Sequence, residues 1–385
     1  MPTSAAASSP ARLVIAASEQ SADIVYPTKF WAPDAFLLLV QNGRSTIMLS
    51  DLEVDRGRKQ ARADEIVSIS EFSEARENKK VLGKNPAYGK VVAQFLKSRR
   101  VRRAEVPADF PLGLAETLRR EGVALKPVTN GNFWPARERK TPEELAHLRR
   151  ALKITAVGLA RAAEVLSAAE LGKKNVLNWG GATLTSERLR SEIDLAVLRA
   201  GGQPGDTIVA GGEQACDPHE RGGGPLRAGE LIILDIFPRD AESGYFGDMT
   251  RTVVRGRASD AQRKLWTTVL AGQKMALDQL RAGADGVKIH ESIKKFFKAE
   301  GFPTEKRNGR WVGFFHGTGH GLGLDLHESP RYNKTKKFEP GQVFTVEPGL
   351  YYPGLGGVRI EDVAAVSPNG APAQILSRFE KRLEL

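Results

Sequence analysis

Five residues set into apolar or glycine-rich segments constrain this chain more than anything else in it: Asp235, Asp248, His320, Glu347 and Glu361. Asp235 closes the run Leu231-Ile-Ile-Leu234, and Asp248 opens the next run after a glycine-containing loop. Glu361 sits between Ile360 and Asp362 in an otherwise apolar stretch. A charge in such a place is costly unless something pairs with it. Taken singly, each acid has an ordinary explanation. Asp235 could cap a turn at a strand end, and Glu347 or Glu361 could form a salt bridge to Arg359 or Arg251. Taken together, they predict a fold that gathers four carboxylates and one imidazole. A hairpin joining the strands of Asp235 and Asp248 would set these two side by side. Val343, Thr345 and Glu347 share one face of a strand by its period of two, and Pro348-Gly349 breaks the ladder.

His320 lies in His316-Gly-Thr-Gly-His320-Gly-Leu-Gly-Leu-Asp-Leu-His327-Glu328. Glycines 317, 319, 321 and 323 let the backbone approach a ligand closely. A satisfied core histidine explains one such residue, not three spaced four and seven apart. Four carboxylates and one histidine suit Mn²⁺ or Co²⁺, with Fe²⁺ or Zn²⁺ as alternatives. Bridging carboxylates would hold two ions about 3.5 Å apart, and such a pair lowers the pKa of a shared water and polarises a carbonyl. The chain is therefore a candidate hydrolase.

With 385 residues the chain can hold two or three domains. Residues 1–11 read as a disordered tail without the basic-then-apolar order of a secretory signal. Residues 12–135 read as a small α/β domain. It holds a hairpin, Phe36–Val40 and Thr46–Leu49 around Asn42-Gly43, and helical spacing near Tyr88–Lys97 and Leu112–Arg120. Residues 136–385 form the motif-bearing domain. Thr141-Pro-Glu-Glu144 combines an N-cap, a proline at the first helical position and a capping box. Further helices are expected over 186–199, from Ser259 to about Leu280, and over 285–300. Strands are expected at 231–237, 248–254, 342–351 and 358–366. Helix followed by strand pair occurs twice, which hints at internal pseudo-symmetry.

No apolar run approaches the ~18 residues of a membrane span. A single cysteine, Cys216, forms no internal disulfide, so a cytoplasmic location is expected. Cys216 either faces the cleft near His219 or is a buried, inert thiol. The net charge of +11 raises the question of nucleic acid. The charge is dispersed, however, and its one dense cluster, Arg99-Arg100-Val-Arg102-Arg103, has no neighbouring aromatics for base stacking. That cluster reads as a solvated helix end.

The ordered ligands and their flanks resemble the metallopeptidase family that includes methionine aminopeptidase, aminopeptidase P and prolidase. The resemblance implies an α/β (α+β) pita-bread catalytic domain with pseudo-two-fold helix/strand-pair repeats. The first 130 residues resemble the smaller α/β domain that precedes it in aminopeptidase P, prolidase and creatinase. The resemblance places one ion on Asp235 and Asp248, bridges on Asp248 and Glu361, and the second ion on His320 and Glu347. Glu347 would also take a proton from the bridging water. It implies that His219 contacts substrate, that His327 binds the scissile peptide, and that His316 lies near the pocket for the residue after the cleaved bond. Tyr351 and Arg359 match supporting positions. One departure stands out: Asp235 and Asp248 are thirteen residues apart, two more than the family's usual interval. An even insertion at 239–243 preserves which way side chains face.

The preceding domain implies cleavage before proline. Arg331, in His327-Glu-Ser-Pro-Arg331, resembles the prolidase arginine that holds a dipeptide's terminal carboxylate, an apt bidentate contact. A surface salt bridge is its alternative. The expected activity is therefore an Xaa-Pro dipeptidase, with an Xaa-Pro aminopeptidase on longer peptides as the alternative. A creatinase-like amide hydrolase and a non-catalytic binding module are minor readings. The family also implies a homodimer and a proline-containing di- or oligopeptide as partner, while the dispersed charge and the lack of a long apolar run argue against nucleic-acid and membrane roles.

Overall fold

The computed structural model describes residues 10–72 and 86–385. Residues 1–9 of the expected tail lie outside these, and Ala11 already belongs to the strand Ala11–Ala16. The chain divides into two compact units, the first ending at Pro135 and the second running Ala136–Leu385.

The first unit is built on a six-stranded mixed sheet. Its spatial order is 65–68, 44–49, 36–41, 11–16, 103–107, 124–128. Phe36–Gln41 and Arg44–Leu49 pair as a hairpin. Its two turn residues, Asn42 and Gly43, have φ of 52° and 77°, the left-handed conformation a tight hairpin turn demands. The helices Pro86–Ser98 and Leu112–Arg120 contribute Phe95, Leu96 and Leu118 to a core shared with Leu13 and Leu37. The arginine cluster follows the first of these helices, and Arg99 pairs with Glu65 at 2.6 Å.

The second unit repeats helices and strands twice. Pro142–Ala168 begins with the expected capping box: Glu144 N–H donates to Thr141 Oγ1, and Thr141 N–H to the Glu144 carboxylate. Ser186–Arg199 packs beside it, and Gly158 allows close contact with Ile193 and Val197. The strands Ile208–Gly211, Leu231–Ile236 and Met249–Val254 complete the first half as an antiparallel sheet. In the second half, Ser259 caps Asp260–Gln279 with its own capping box, and Asp285 caps Gly286–Ala299. Leu265, Val269, Ile293, Phe297, Phe314 and Phe344 fill the core beneath these helices. Full burial of each such side chain contributes roughly 1.5–3 kcal/mol.

The strands expected at 342–351 and 358–366 are each split in two. Val343–Val346 pairs with Asp362–Ala365, and Gly349–Tyr352 pairs with Gly356–Arg359. The breaks fall at Glu347-Pro348 and Ile360-Glu361. There the backbone N–H groups leave their own ladder: Glu347 N–H donates to Thr318 O at 2.8 Å and Glu361 N–H to Thr250 O at 3.1 Å. Thr252 Oγ1 donates to Arg359 O, and Arg359 N–H donates back to it. These cross-links bring the acids of both halves into one place. Among the described residues, no helix is long and apolar enough to cross a membrane.

Candidate metal centre

Asp235 sits one residue from the end of its strand, directly across from Thr250, and Asp248 immediately precedes the partner strand. Both are buried. The longer connection between them does not disturb this. Arg239–Asp240 pairs with Gly202–Gln203, and Asp240 accepts from the backbone N–H and hydroxyl of Ser243. The connection thus contains a tight turn at 240–243.

One ligand atom each of Asp248, His320 and Glu361 lies within 4.8 Å of the others. Glu347 Oε1 is 3.4 Å from His320 Nε2, and Asp248 Oδ2 is 3.7 Å from it. The ring of His320 is oriented by Nδ1, which donates to Gly321 O at 3.0 Å. Nε2 is left with its lone pair towards the carboxylates, the arrangement a metal-ligating histidine needs. Burial keeps this ring neutral, pulling its pKa down to about 3.

Three of the four carboxylates accept a hydrogen bond from a neighbouring side chain. Arg359 donates to Asp235 Oδ2 at 2.7 Å, Thr250 to Glu361 Oε2 at 2.8 Å, and Thr345 to Glu347 Oε1 at 3.1 Å. Asp235 Oδ1 is buried with no hydrogen-bond partner. Burial pushes Asp248 and Glu361 well above the usual carboxylate range, and the surrounding acids push them further. Glu347 rises to about 7, chiefly from burial, with Arg359 opposing. Like charges gathered out of water, an unused buried oxygen and an imidazole with a free lone pair are a site built for cations. The donor set fits divalent metal. Of the salt bridges considered above, Arg359 takes Asp235 and Arg251 takes Asp362 at 2.9 Å. Neither pairs with the Glu347 or Glu361 carboxylate.

These groups form the floor of a cavity of about 1020 Å³. His219, His316, His327, Arg331 and Arg359 also line it. His316 Nδ1 donates to Gly317 O, so its Nε2 accepts from Tyr351 OH at 2.9 Å. Tyr351 OH in turn accepts from Arg359 at 3.1 Å. Arg359 therefore ties His316, through Tyr351, to Asp235. Burial first, then Arg359, lowers the His316 pKa to about 3. Desolvation, then the Arg331 guanidinium, lowers that of His327. Tyr351 is fully buried and lies behind the cavity wall. Cys216 is also buried, and its thiol is pushed up to about 12, chiefly by desolvation. It is the inert thiol of the two alternatives.

Several contributors were not singled out from sequence. Thr250 both accepts from Arg359 and donates to Glu361; its position opposite Asp235 is a matter of register. His290 contacts Thr318 Oγ1 at 2.9 Å, between His316 and His320 in sequence. Ile208, Phe237 and Phe315 supply apolar wall, and Asn333 and Lys334 a polar rim. The cation-rich run after Arg331 was the available signal for the rim.

A family model described as metallopeptidase family M24 matches residues 146–368. The Xaa-Pro dipeptidase of Pyrococcus furiosus is 35% identical over 182 residues, covering 46% of this chain and 49% of that one. The chain thus spans about half the length of the curated relatives it matches. A solved Xaa-Pro dipeptidase from Bacillus anthracis superposes with a TM-score of 0.79 at 24% identity, covering 98% of this chain and 95% of the other. The X-Pro aminopeptidase from Thermotoga maritima gives 0.77 at 20% identity, covering 97% of each chain. These likenesses establish the expected pita-bread fold.

Proposed function

The chain belongs to metallopeptidase family M24, and from that premise we propose that it is a two-metal exopeptidase hydrolysing the Xaa-Pro bond, foremost of dipeptides. The observation that carries the reading is the cavity. Four carboxylates and His320 form its floor, and three histidines and Arg331, which has no ion-pair partner among the described residues, line its walls.

In this reading Asp235, Asp248, His320, Glu347 and Glu361 would hold the two ions. Mn²⁺ or Co²⁺ suits such oxygen-rich donors, with Fe²⁺ or Zn²⁺ as alternatives. When bound, the ions would acidify a water for attack and polarise the peptide carbonyl. The protein's own groups supply the rest. Glu347, whose Oε1 lies 3.4 Å from His320 Nε2 and accepts from Thr345, is placed to take a proton from the attacking water and pass it to the leaving amine. His327, kept neutral, donates an N–H to the carbonyl oxygen as charge develops there. His219 contacts the substrate, and His316 borders the pocket for the residue after the cleaved bond. Arg359 and Tyr351 position Asp235 and His316. Arg331 offers a planar guanidinium to the terminal carboxylate.

A cavity of about 1020 Å³ also favours a second reading, an Xaa-Pro aminopeptidase acting on longer peptides. We assign the first unit as a creatinase/prolidase-type domain, supported by structural likenesses that cover 97–98% of the chain. A cytoplasmic homodimer accords with the single cysteine and the family resemblance; light scattering giving a monomer mass would overturn the dimer.

The test is hydrolysis of Gly-Pro, Ala-Pro and Leu-Pro beside an Xaa-Pro-Xaa tripeptide. Chelated protein is assayed before and after Mn²⁺ or Co²⁺, with Asp248→Ala as control. Metal-dependent cleavage confined to dipeptides supports the dipeptidase, and cleavage of the tripeptide supports the aminopeptidase. No cleavage by folded, metal-loaded protein refutes both.

A further inference from the structure

The segment after His327 carries Arg331, Lys334, Lys336 and Lys337, with no acid between Ser329 and Phe338. All four cations are exposed, and none forms an ion pair among the described residues. The nearest acids along the chain are already engaged. Asp325 pairs with Arg137, Glu328 with Arg137 and Lys140, and Glu339 with Arg139. The other lysine and arginine side chains that line the cavity are neutralised: Arg221 pairs with Asp206, and Arg359 with Asp235. The uncompensated positive charge of the lining therefore falls on this one segment. Arg331 and Lys334 line the cavity there, together with His327 and Asn333.

The backbone that presents these cations is pinned. Tyr332 is buried; its hydroxyl donates to Ala276 O at 2.9 Å and its N–H to Gly319 O at 3.0 Å. Thr335 Oγ1 donates to Arg331 O at 2.7 Å, and Gly286 N–H donates to Thr335 O at 2.9 Å. A methyl group on Gly286 would lie 2.2 Å from Tyr332 O, so the helix starting there is packed directly against the turn. Uncompensated charge held at the rim of a low-dielectric cleft focuses the field on whatever enters.

We propose that Lys334, lining the cavity beside Arg331, is a specificity-determining cation that favours an acidic side chain on the residue after proline. The inference rests on the Xaa-Pro reading and deepens it. The favoured substrates are Xaa-Pro peptides in which proline is followed by Asp or Glu. Arg331 can grip a carboxylate with two parallel N–H donors, whereas Lys334 is a mobile point charge able to meet an anion one residue further on. Lys336 and Lys337 add to the field without lining the cavity.

The experiment compares kcat/KM of the metal-loaded full chain for Ala-Pro-Asp, Ala-Pro-Ala and Ala-Pro-Lys at low and physiological salt. Calorimetric binding of Pro-Asp and Pro-Lys, the carboxyl-side fragments, runs alongside. The Asp peptide is expected to exceed the Lys peptide about tenfold at low salt, and the gap should shrink as salt screens exposed charge. Lys334→Met should remove most of the gap through KM, and Lys334→Arg should restore it. Equal rates for the Asp and Lys peptides overturn the proposal and leave the Xaa-Pro reading intact. If no tripeptide is cleaved, hydrolysis of Ala-Pro by the same protein decides the Xaa-Pro reading, and the fragments decide the rim. Tighter binding of Pro-Asp than Pro-Lys upholds the anion-selecting rim, and equal or absent binding overturns it.

Discussion

Replacing Gly319 with alanine should cost metal more than it costs fold. Gly319 has no positive φ among the glycines of the chain that do, so its role is spatial. A Cβ there would lie 1.9 Å from Thr345 O and 3.0 Å from Thr345 Oγ1. An ordinary carbon–oxygen contact needs about 3.3 Å, so the two backbones must part by roughly 1.4 Å. They are stitched together on either side of the contact. Thr345 N–H donates to His320 O at 2.9 Å, and His320 N–H donates to Thr345 Oγ1 at 3.0 Å. The displacement therefore falls on His320 and on Thr345, whose hydroxyl orients Glu347. Overpacking of this kind costs about 1–3 kcal/mol of stability, and misplacing reacting groups by about 1 Å costs on the order of a hundredfold in rate. The assay is metal content by mass spectrometry after equilibration with limiting Mn²⁺, with urea unfolding of the chelated protein and Ala-Pro hydrolysis. Gly113→Ala, on an exposed helix position with nothing within 4 Å, is the control. Gly319→Ala that retains parental metal content and activity would refute the close-approach argument.

Two further perturbations probe the charges. Burial raises the folded-state pKa of Glu347 from 4.5 to about 7, so in metal-free protein its stabilising contribution is fully present below pH 4.5 and lost as pH rises through about 7. Relative to Glu347→Gln, which cannot titrate, the chelated parent should lose about 3 kcal/mol between pH 4.5 and pH 8 in urea unfolding; a constant difference would contradict this. Separately, Glu328→Ala removes the carboxylate against which Lys140 and Arg137 are buried; Arg137 keeps Asp325, but the buried Lys140 loses its ion pair, which should destabilise the second unit by about 3 kcal/mol. An unchanged urea midpoint at the same slope would count against that magnitude.

What could be read from sequence, and what could not, follows from the range of each interaction. Asp235, Asp248, His320, Glu347 and Glu361 were legible because a charge inside an apolar run violates a local rule, and the violation can be seen without knowing the partner. The capping boxes at Thr141 and Ser259 were legible for the same reason: their hydrogen bonds span three residues. Asp235 and Asp248 both line the cavity across the connection that holds 239–243. The partners were not legible. Arg359 reaches Asp235 across 124 residues, Thr250 reaches Glu361 across 111, and Lys140 reaches Glu328 across 188. Such contacts depend on register between the two halves, which no local period encodes. The splitting of both long strands at Glu347 and Glu361 belongs to the same class, because their N–H groups leave the ladder for Thr318 and Thr250 in other segments. A consequence for the fold follows. Each half of the second unit brings two acids, and neither half alone can bury them with compensation. Docking the halves gathers all four carboxylates, and among the described residues Arg359 alone forms an ion pair with one of them, so the docked state carries an electrostatic cost that protonation relieves in metal-free protein. Divalent metal relieves it instead when bound, releasing those protons. Assembly of the two halves and loading of the centre are therefore coupled equilibria, with ion binding adding directly to the stability of the docked state.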